Sequence, residues 1–145
     1  MSYLVDTNIL LRNIQETHPM HESSVQSVRN LLALEEALCI IPQNLIELWV
    51  VATRPVEVNG LGLSVADALQ ELEQIKAFFI LLPDTTSIFT VWESLIRKYQ
   101  IMGKPSHDAR LVAAMIAHNI THILTFNIND FKKFSEVTAI EPRDI

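Results

Sequence analysis

Four acidic side chains stand at positions where carboxylates could bind a metal ion. They are Asp6, Glu47, Asp108 and Asp130. Hard cations such as Mg²⁺ and Mn²⁺ prefer oxygen ligands and usually take one or two carboxylates each, leaving water and substrate phosphate to complete the shell. Two such ions ~3.5–4 Å apart can activate a water and stabilise the leaving oxygen of an in-line displacement. If the fold gathers these four residues at one edge of a sheet, they predict a site for one or two divalent cations.

Glu47 is the most informative of the four, because nearly all its neighbours between Leu45 and Val51 are apolar. A helix of this composition is expected to be buried on most sides. A charge there must be solvated by a cleft, matched by a cation or neutralised by protonation. The alternative is that Glu47 lies on the one solvated stripe of its helix.

Asp6 directly follows the apolar segment Tyr3-Leu4-Val5. The next two residues, Thr7 and Asn8, are small polar side chains that can orient a carboxylate or a bound water through hydrogen bonds. Because ligands of open parallel sheets bind beyond the carboxyl ends of the strands, this position favours a functional role. The alternative is ordinary capping of a short helix that starts near Asn8.

Asp108 and Asp130 are weaker candidates when each is considered alone. Asp108 lies in the first turn of an otherwise apolar helix, where the macrodipole already favours a negative charge by roughly 0.3–1 kcal/mol. Asp130 lies in a polar and aromatic loop after a predicted strand, where a turn or cap role is equally open. The prediction of a metal site therefore depends on all four acids together.

Composition indicates one well-packed domain over residues 1–145, with 49% hydrophobic residues, 19% charged residues and only three glycines. No apolar run approaches the roughly 20 residues that span a bilayer, so we expect a cytoplasmic protein with no membrane partner. The single cysteine, Cys39, lies in an apolar run and is expected to be a buried thiol. A net charge of −6 argues against nucleic-acid binding, unless metal neutralises the carboxylates and itself meets the phosphate.

Apolar periodicity predicts strands alternating with helices. Predicted strands cover about residues 3–5, 38–41, 78–82, 121–125 and 137–140, the third of them buried. Predicted helices start near His18-Pro19, at Gln43, after a Ser64 cap, at Thr86 and after a Ser106 cap, and a short helical turn covers residues 127–134. This alternation predicts an α/β fold, with a parallel sheet covered on both faces.

The amino-acid sequence of four segments resembles that of the PIN-domain ribonucleases, in particular the VapC-type toxins of bacterial and archaeal toxin–antitoxin pairs. The segments are LVDTNIL at 4–10, PQNLIEL at 42–48, HDARLVA at 107–113 and ILTFNINDF at 123–131. They span nearly the entire chain and follow the family's order, which makes them far more specific together than any one of them.

The resemblance implies a three-layer α/β/α sandwich with a central parallel sheet of four or five strands. It also implies a Mg²⁺ or Mn²⁺ cofactor, hydrolysis of RNA phosphodiester bonds, a homodimer and an antitoxin protein as partner. By position, the catalytic and metal-binding residues would be Asp6, Glu47, Asp108 and Asp130, supported by Thr7, Asn8, Thr125 and Asn127. Some family members carry an acid at the position of Asn127, so either Asn127 or Asp130 would approach the second ion.

Basic residues near these segments are candidates for contacts to RNA phosphates, chiefly Arg12, Lys104 and Arg110. The alternative for each is an ordinary solvated surface charge. Trp49 and Trp92 lie on apolar helical faces, where tryptophan is expected in the core rather than as a platform for stacking bases.

The interpretation that the residues and the resemblance favour is a metal-dependent endoribonuclease, the toxin of a type II toxin–antitoxin pair. One alternative is a housekeeping RNA-processing nuclease, or a nuclease that acts on DNA. Another is a catalytically weak or inactive PIN-like module that binds RNA or a partner protein without cleaving. An unrelated phosphohydrolase lacks support, because the sequence has neither a glycine-rich phosphate loop nor a Cys-x5-Arg arrangement.

Overall fold

The computed structural model describes residues 1–145 and alternates strands with helices along the chain. The strands are β1 (Ser2–Val5), β2 (Ala37–Ile40), β3 (Ile80–Leu81), β4 (His122–Leu124) and β5 (Thr138–Ile140). The α-helices are α1 (Thr7–Ile14), α2 (His21–Ala33), α3 (Pro42–Thr53), α4 (Val65–Phe78), α5 (Ser87–Tyr99) and α6 (Pro105–Ala117). Short 3-10 helices cover Val56–Val58, Ile128–Asp130 and Pro142–Asp144.

All five strands are parallel and form one sheet in the order β3-β2-β1-β4-β5. In the centre, Leu4 of β1 is aligned with Cys39 of β2 and with Ile123 of β4. The carboxyl ends of β1, β2 and β4 therefore meet at one edge. The predicted α/β fold with a parallel sheet is confirmed.

Two hydrophobic cores cover the two faces of the sheet. Successive residues of a strand point to opposite faces, so Tyr3 and Val5 join one core and Leu4 joins the other. Helices α1 to α4 contribute to the first core, for example through Ile9 and Leu48, whereas α5 and α6 contribute to the second. This arrangement gives the three layers of an α/β/α sandwich.

The third predicted strand is shorter and more exposed than expected. We predicted a buried strand over residues 78–82, but β3 holds only Ile80 and Leu81, whose side chains are both exposed. Phe78 instead ends α4, and Phe79 is the buried residue of this segment. The reason is position, because β3 pairs with one neighbour only and lies at the edge of the sheet.

Two expectations about helices are also corrected. Ser106 does not cap α6, which begins at Pro105, a residue whose fixed φ suits the first helical position. Helix α3 is not buried on most sides, because Ile46 and Val50 are 64% and 52% exposed. The predicted Ser64 cap is confirmed, since its hydroxyl accepts a hydrogen bond from the amide of Asp67 at 3.1 Å.

None of the helices combines the length and the apolarity that crossing a bilayer requires.

Candidate active site

A cleft of about 680 Å³ opens where the carboxyl ends of β1, β2 and β4 meet. Its polar lining residues are Asp6, Thr7, Asn8, Glu47, Lys104, His107, Asp108, Asn127 and Asp130. All four predicted acids therefore share one cavity, although they come from separate elements of the chain. Apolar side chains, among them Ile46 and Val50 of α3, line another part of it.

Asp6 occupies the turn between β1 and α1 and is only 8% exposed. Its Oδ1 accepts a hydrogen bond from the backbone amide of Thr7 at 2.8 Å, and its Oδ2 accepts one from the Thr125 hydroxyl at 2.7 Å. The predicted capping role is therefore real, since Asp6 is the N-cap of α1. Capping leaves the carboxylate facing the cleft, so it does not exclude metal binding.

Glu47 lies in the second turn of α3, and both of its carboxylate oxygens accept hydrogen bonds. The Thr7 hydroxyl donates to Oε1 at 2.7 Å, and the Gln43 side-chain amide donates to Oε2 at 3.1 Å. Asn44 in turn donates to the Thr7 hydroxyl at 3.3 Å, and its own oxygen accepts from the amide of Ile41. The first turn of α3 thus fixes Glu47 relative to the end of β1.

The electrostatics of the cleft couple the four carboxylates. Burial raises the pKa of Asp6 to about 6, hydrogen bonds from Thr125 and Thr7 oppose that rise, and the negative charges of Glu47 and Asp108 add to it. Burial also raises the pKa of Asp108 to about 6, followed by the charges of Asp130 and Glu47. Mutual repulsion of this kind is relieved by a bound cation or by protonation.

The predicted supporting residues form a second ring of hydrogen bonds around Asp6. Asn8 donates to the Thr125 hydroxyl at 3.3 Å, and the Oδ1 of Asn8 accepts from the amide of Phe126. The amide of Asn127 donates to the same hydroxyl of Thr125 at 3.0 Å. Thr125 is fully buried, so this network ties the ends of β1 and β4 together beneath the cleft.

The carboxylate oxygens of the cleft are the ligand type that a divalent cation prefers, but they do not form a preassembled binding site. None of the four acids takes part in a salt bridge with a basic side chain. Asp6 is thus a buried carboxylate whose hydrogen-bond donors are all neutral. No three acidic, histidine or cysteine side chains, however, stand close enough to hold an ion by themselves. Such a site fits Mg²⁺ or Mn²⁺, which keep several waters and use few carboxylates.

The three predicted RNA-binding basic residues lie in different places. Lys104 lines the cleft beside Asp108. Arg110 lies in a neighbouring groove, where it donates to Gln43 at 3.1 Å and pairs with Asp84 at 3.4 Å. Arg12 does not line the cleft, and its guanidinium donates to Gln15. Of these three, the structure brings only Lys104 into the cleft.

Sequence reasoning gave no role to Gln43 and His107, although both belong to the segments quoted above. Gln43 is buried and links α3 to α6, because its amide donates to Glu47 of α3 and to the carbonyl of His107 of α6 while its oxygen accepts from Arg110 of α6. Gln43 and His107 are both polar and each lies in the first turn of a largely apolar helix, and this pattern could have indicated a role for them. The His107 ring lines the cleft, and the charges of Lys133 and then His107 lower the pKa of Asp108 against the larger effect of burial.

Comparison with solved structures finds the same fold in several proteins. VapBC2 from Rickettsia felis, solved bound to a promoter DNA fragment, has 19% identity, a TM-score of 0.70 and coverage of 97% of this chain and 98% of that one. VapBC-1 from nontypeable Haemophilus influenzae has 13% identity, a TM-score of 0.73 and coverage of 99% of both chains.

VapC20 from Mycobacterium tuberculosis, described as a toxin that cleaves the sarcin-ricin loop, has 18% identity and a TM-score of 0.58. The alignment covers 83% of this chain and 86% of that one. Identities this low establish the fold alone. No curated protein sequence matches the chain.

The family assignment comes from the sequence rather than from these structures. The family model for the PIN domain matches residues 3–137, which include the four acids of the cleft and all of the sheet except Ser2 of β1 and the whole of β5. A match of this extent, on a parallel α/β/α sandwich, makes the chain a member of the PIN domain family.

Proposed function

We propose that the protein is a metal-dependent endoribonuclease and the toxin of a type II toxin–antitoxin pair. The observation that carries this proposal is the convergence of Asp6, Glu47, Asp108 and Asp130 on one cleft with no basic side chain paired to any of them. Carboxylates that lie close together without a basic partner repel one another, and a bound cation stabilises their charged form. Membership of the PIN domain family supports nuclease chemistry.

The proposed ligands are the four acids, with Asp6 and Asp108 as the direct ones and Asp130 rather than Asn127 approaching a second ion. Asp130 is favoured because its charge already raises the pKa of Asp108. When bound, Mg²⁺ or Mn²⁺ supplies Lewis acidity toward a phosphodiester and a lowered pKa for a water.

The chain's own residues would then hold and orient the reactants. Thr7 and Gln43 fix both oxygens of Glu47, and Thr125 fixes Asp6. Glu47 thereby faces the cleft as the candidate base for the attacking water. Lys104, at the rim, would attract a phosphate of the RNA.

The proposed partners are an RNA substrate, a second copy of the chain and an antitoxin protein, all in the cytoplasm. Structures of VapBC2 and of a toxin–antitoxin complex from Klebsiella pneumoniae share the fold and support the antitoxin. A further support is that Ile46 and Val50 expose apolar side chains at the cleft, where a partner protein could cover them.

A second candidate function is binding of RNA or of a partner protein without cleavage. One observation favours it, namely that no three acidic side chains form a ready-made metal cage. Under this alternative, removing a carboxylate would leave the biological effect unchanged.

Expression in a bacterium separates the two functions. We expect the wild-type chain to arrest growth, and Asp6→Asn, made to the same soluble level, to be harmless. Equal toxicity of both would show that the carboxylate is not used for catalysis. RNA from arrested cells should carry new cleavage ends that are missing from cells expressing Asp6→Asn.

A further inference from the structure

A second groove of about 340 Å³ lies beside the cleft and takes no part in the function proposed above. It is lined by Thr85, Ile88, Phe89, Trp92 and Arg110. All five residues come from α5, α6 or the turn before α5. Helix α6 is shared with the cleft, because Asp108 lines the cleft and Arg110 lines the groove. The groove therefore presents two aromatic rings, one isoleucine side chain, one guanidinium and one hydroxyl.

The two aromatic rings are stacked, and one of them is open to solvent. The centroids of Phe89 and Trp92 are 5.6 Å apart with an interplanar angle of 28°, and Phe89 is 63% exposed. Trp92 is held in place, because its indole nitrogen donates to the carbonyl of Ser106 at 2.9 Å and its ring packs against the second core. The Trp92 side chain therefore packs partly against the second core and partly lines the groove, whereas the sequence predicted a position in the core.

Short links join this groove to the carboxylate cleft. Ser106, which accepts from Trp92, directly precedes the cleft residue His107. Arg110 donates to Gln43, and Gln43 donates to the cleft acid Glu47. The groove and the cleft are therefore supported by the same first turns of α3 and α6, and a chain lying across the cleft could continue into the groove.

The surroundings of Phe89 favour a small flat ligand over a protein surface. The residues beside Phe89 in the chain, Thr85, Thr86, Ser87 and Thr90, are all polar and exposed, and Thr85 lines the groove with Phe89. A stable protein interface needs about 800 Å² from each partner, far more than one ring provides. A nucleobase matches a stacked aromatic pair in size and in polarity at its edge.

Charge explains why such a contact is useful here. The chain carries a net charge of −6, so attraction of RNA phosphates is weak, and stacking supplies affinity that does not depend on positive charge. Arg110 lines the groove with the rings and offers a donor group, and its partly exposed partner Asp84, at 3.4 Å, offers an acceptor group next to it. These groups can hydrogen-bond the edge of an unpaired base.

We infer that the groove formed by Phe89, Trp92 and Arg110 binds one unpaired base of the RNA next to the cleaved phosphodiester. This inference rests on the proposed ribonuclease function and adds a substrate-positioning subsite to it.

Tryptophan fluorescence tests the subsite directly, without cleavage. The chain has two tryptophans, so Trp49→Phe leaves Trp92 as the only reporter, and Asp6→Asn in the same chain prevents hydrolysis. Single-stranded RNA homopolymers of each base, added with Mg²⁺, are expected to quench Trp92. Phe89→Ala should weaken RNA binding roughly 5- to 150-fold, which corresponds to the loss of one base–aromatic stack.

Phe78→Ala is the matched control, because Phe78 is similarly exposed at 58% but lines a different groove with residues of α2 and α4. We expect it to leave RNA binding and cleavage unchanged. In the cleavage-competent chain, Phe89→Ala should raise KM by the same factor with little change in kcat.

The outcomes separate this inference from the proposed function. If the wild-type chain cleaves RNA while Phe89→Ala binds and cleaves as Phe78→Ala does, the subsite is wrong and the nuclease stands. If the wild-type chain never cleaves but Trp92 quenching still needs Phe89, the subsite stands and hydrolysis is wrong. If Phe89→Ala instead turns a dimer into a monomer in light scattering, the groove is a protein interface and the inference is overturned.

Discussion

The hydroxyl of Thr125 donates a hydrogen bond of 2.7 Å to Oδ2 of Asp6, although the two residues stand 119 positions apart. The pairing of β1 with β4 brings them together, since Val5 and Leu124 are aligned and each of the two residues follows directly. The bond is buried, and it fixes one carboxylate oxygen while the side chain faces the cleft. The sheet thereby orients the most buried acid of the site.

Loss of this hydroxyl should impair catalysis without unfolding the protein. We expect Thr125→Val, which keeps the shape of the side chain, to lower kcat/KM for RNA and the affinity for Mn²⁺ by about 10- to 100-fold, as for other residues that orient metal ligands. Thr125→Ser keeps the donor and should stay near wild type. Equal activity of the Val and Ser variants would show that the hydrogen bond does not orient Asp6.

The raised pKa of Asp6 predicts how metal-free stability depends on pH. A carboxyl whose pKa is about 6 in the folded chain and 3.8 in the unfolded chain binds more protons when folded. Its stabilising effect is therefore complete below about pH 4 and is lost as the pH rises through about 6, with a maximum of about 3 kcal/mol.

Thermal melting of wild type and Asp6→Asn in EDTA measures this effect together with the repulsion between Asp6 and its neighbours Glu47 and Asp108. The melting temperature of Asp6→Asn minus that of wild type should increase between pH 5 and pH 7. Saturating Mg²⁺ at pH 7 should raise the melting temperature of wild type more than that of Asp6→Asn. A difference that stays flat over this pH range would contradict the raised pKa.

Gln43 is expected to control Glu47 through a donated hydrogen bond. The Gln43→Glu substitution keeps the size of the side chain and an acceptor for Arg110 but replaces the amide that donates to Glu47. We expect kcat to fall by about 10- to 100-fold with KM little changed. An unchanged kcat in the Gln43→Glu variant would show that the hydrogen bond from Gln43 does not position Glu47 for catalysis.

Lys104 is the basic residue placed to meet a phosphate of the substrate. We expect Lys104→Ala to weaken RNA binding and to reduce the slope of log affinity against log salt by about 1, for one lost phosphate contact. Lys76→Ala is the control, because Lys76 lies on α4 and pairs with Glu73 at 2.8 Å. Identical salt slopes for the two variants would exclude the contact.

Sequence patterns predicted β1, β2 and β4 better than β3, whereas the other edge strand, β5, was predicted close to its observed bounds. Central strands are covered on both faces, so β1, β2 and β4 appear as short apolar runs, and polar residues directly follow β1 at Asp6 and β4 at Thr125. The segment around Ile80 and Leu81 has the same apolar composition but lies at the edge. Whether a strand is central or peripheral depends on strand order, which local composition does not contain.

The four acids of the cleft could be predicted because a carboxylate directly after a buried strand or within an apolar helix is costly unless a cation, a hydrogen bond or solvent stabilises its charge. The directions of Gln43 and Arg110 could not be predicted, since their hydrogen bond joins residues 67 positions apart on two packed helices. Phe89 and Trp92 lie three positions apart on α5, where helical spacing already brings side chains together, but the groove that they form also needs Arg110 of α6, which local spacing does not predict.

The most direct test of the account is the initial rate of RNA cleavage by the purified protein as a function of Mn²⁺ concentration, for wild type and for Asp6→Asn. We predict no cleavage in EDTA, saturable activation of wild type by Mn²⁺, and a rate at least about 100-fold lower for Asp6→Asn at every concentration. Cleavage that persists in EDTA, or the same activation curve for both proteins, would contradict a carboxylate-held metal at the centre of this cleft.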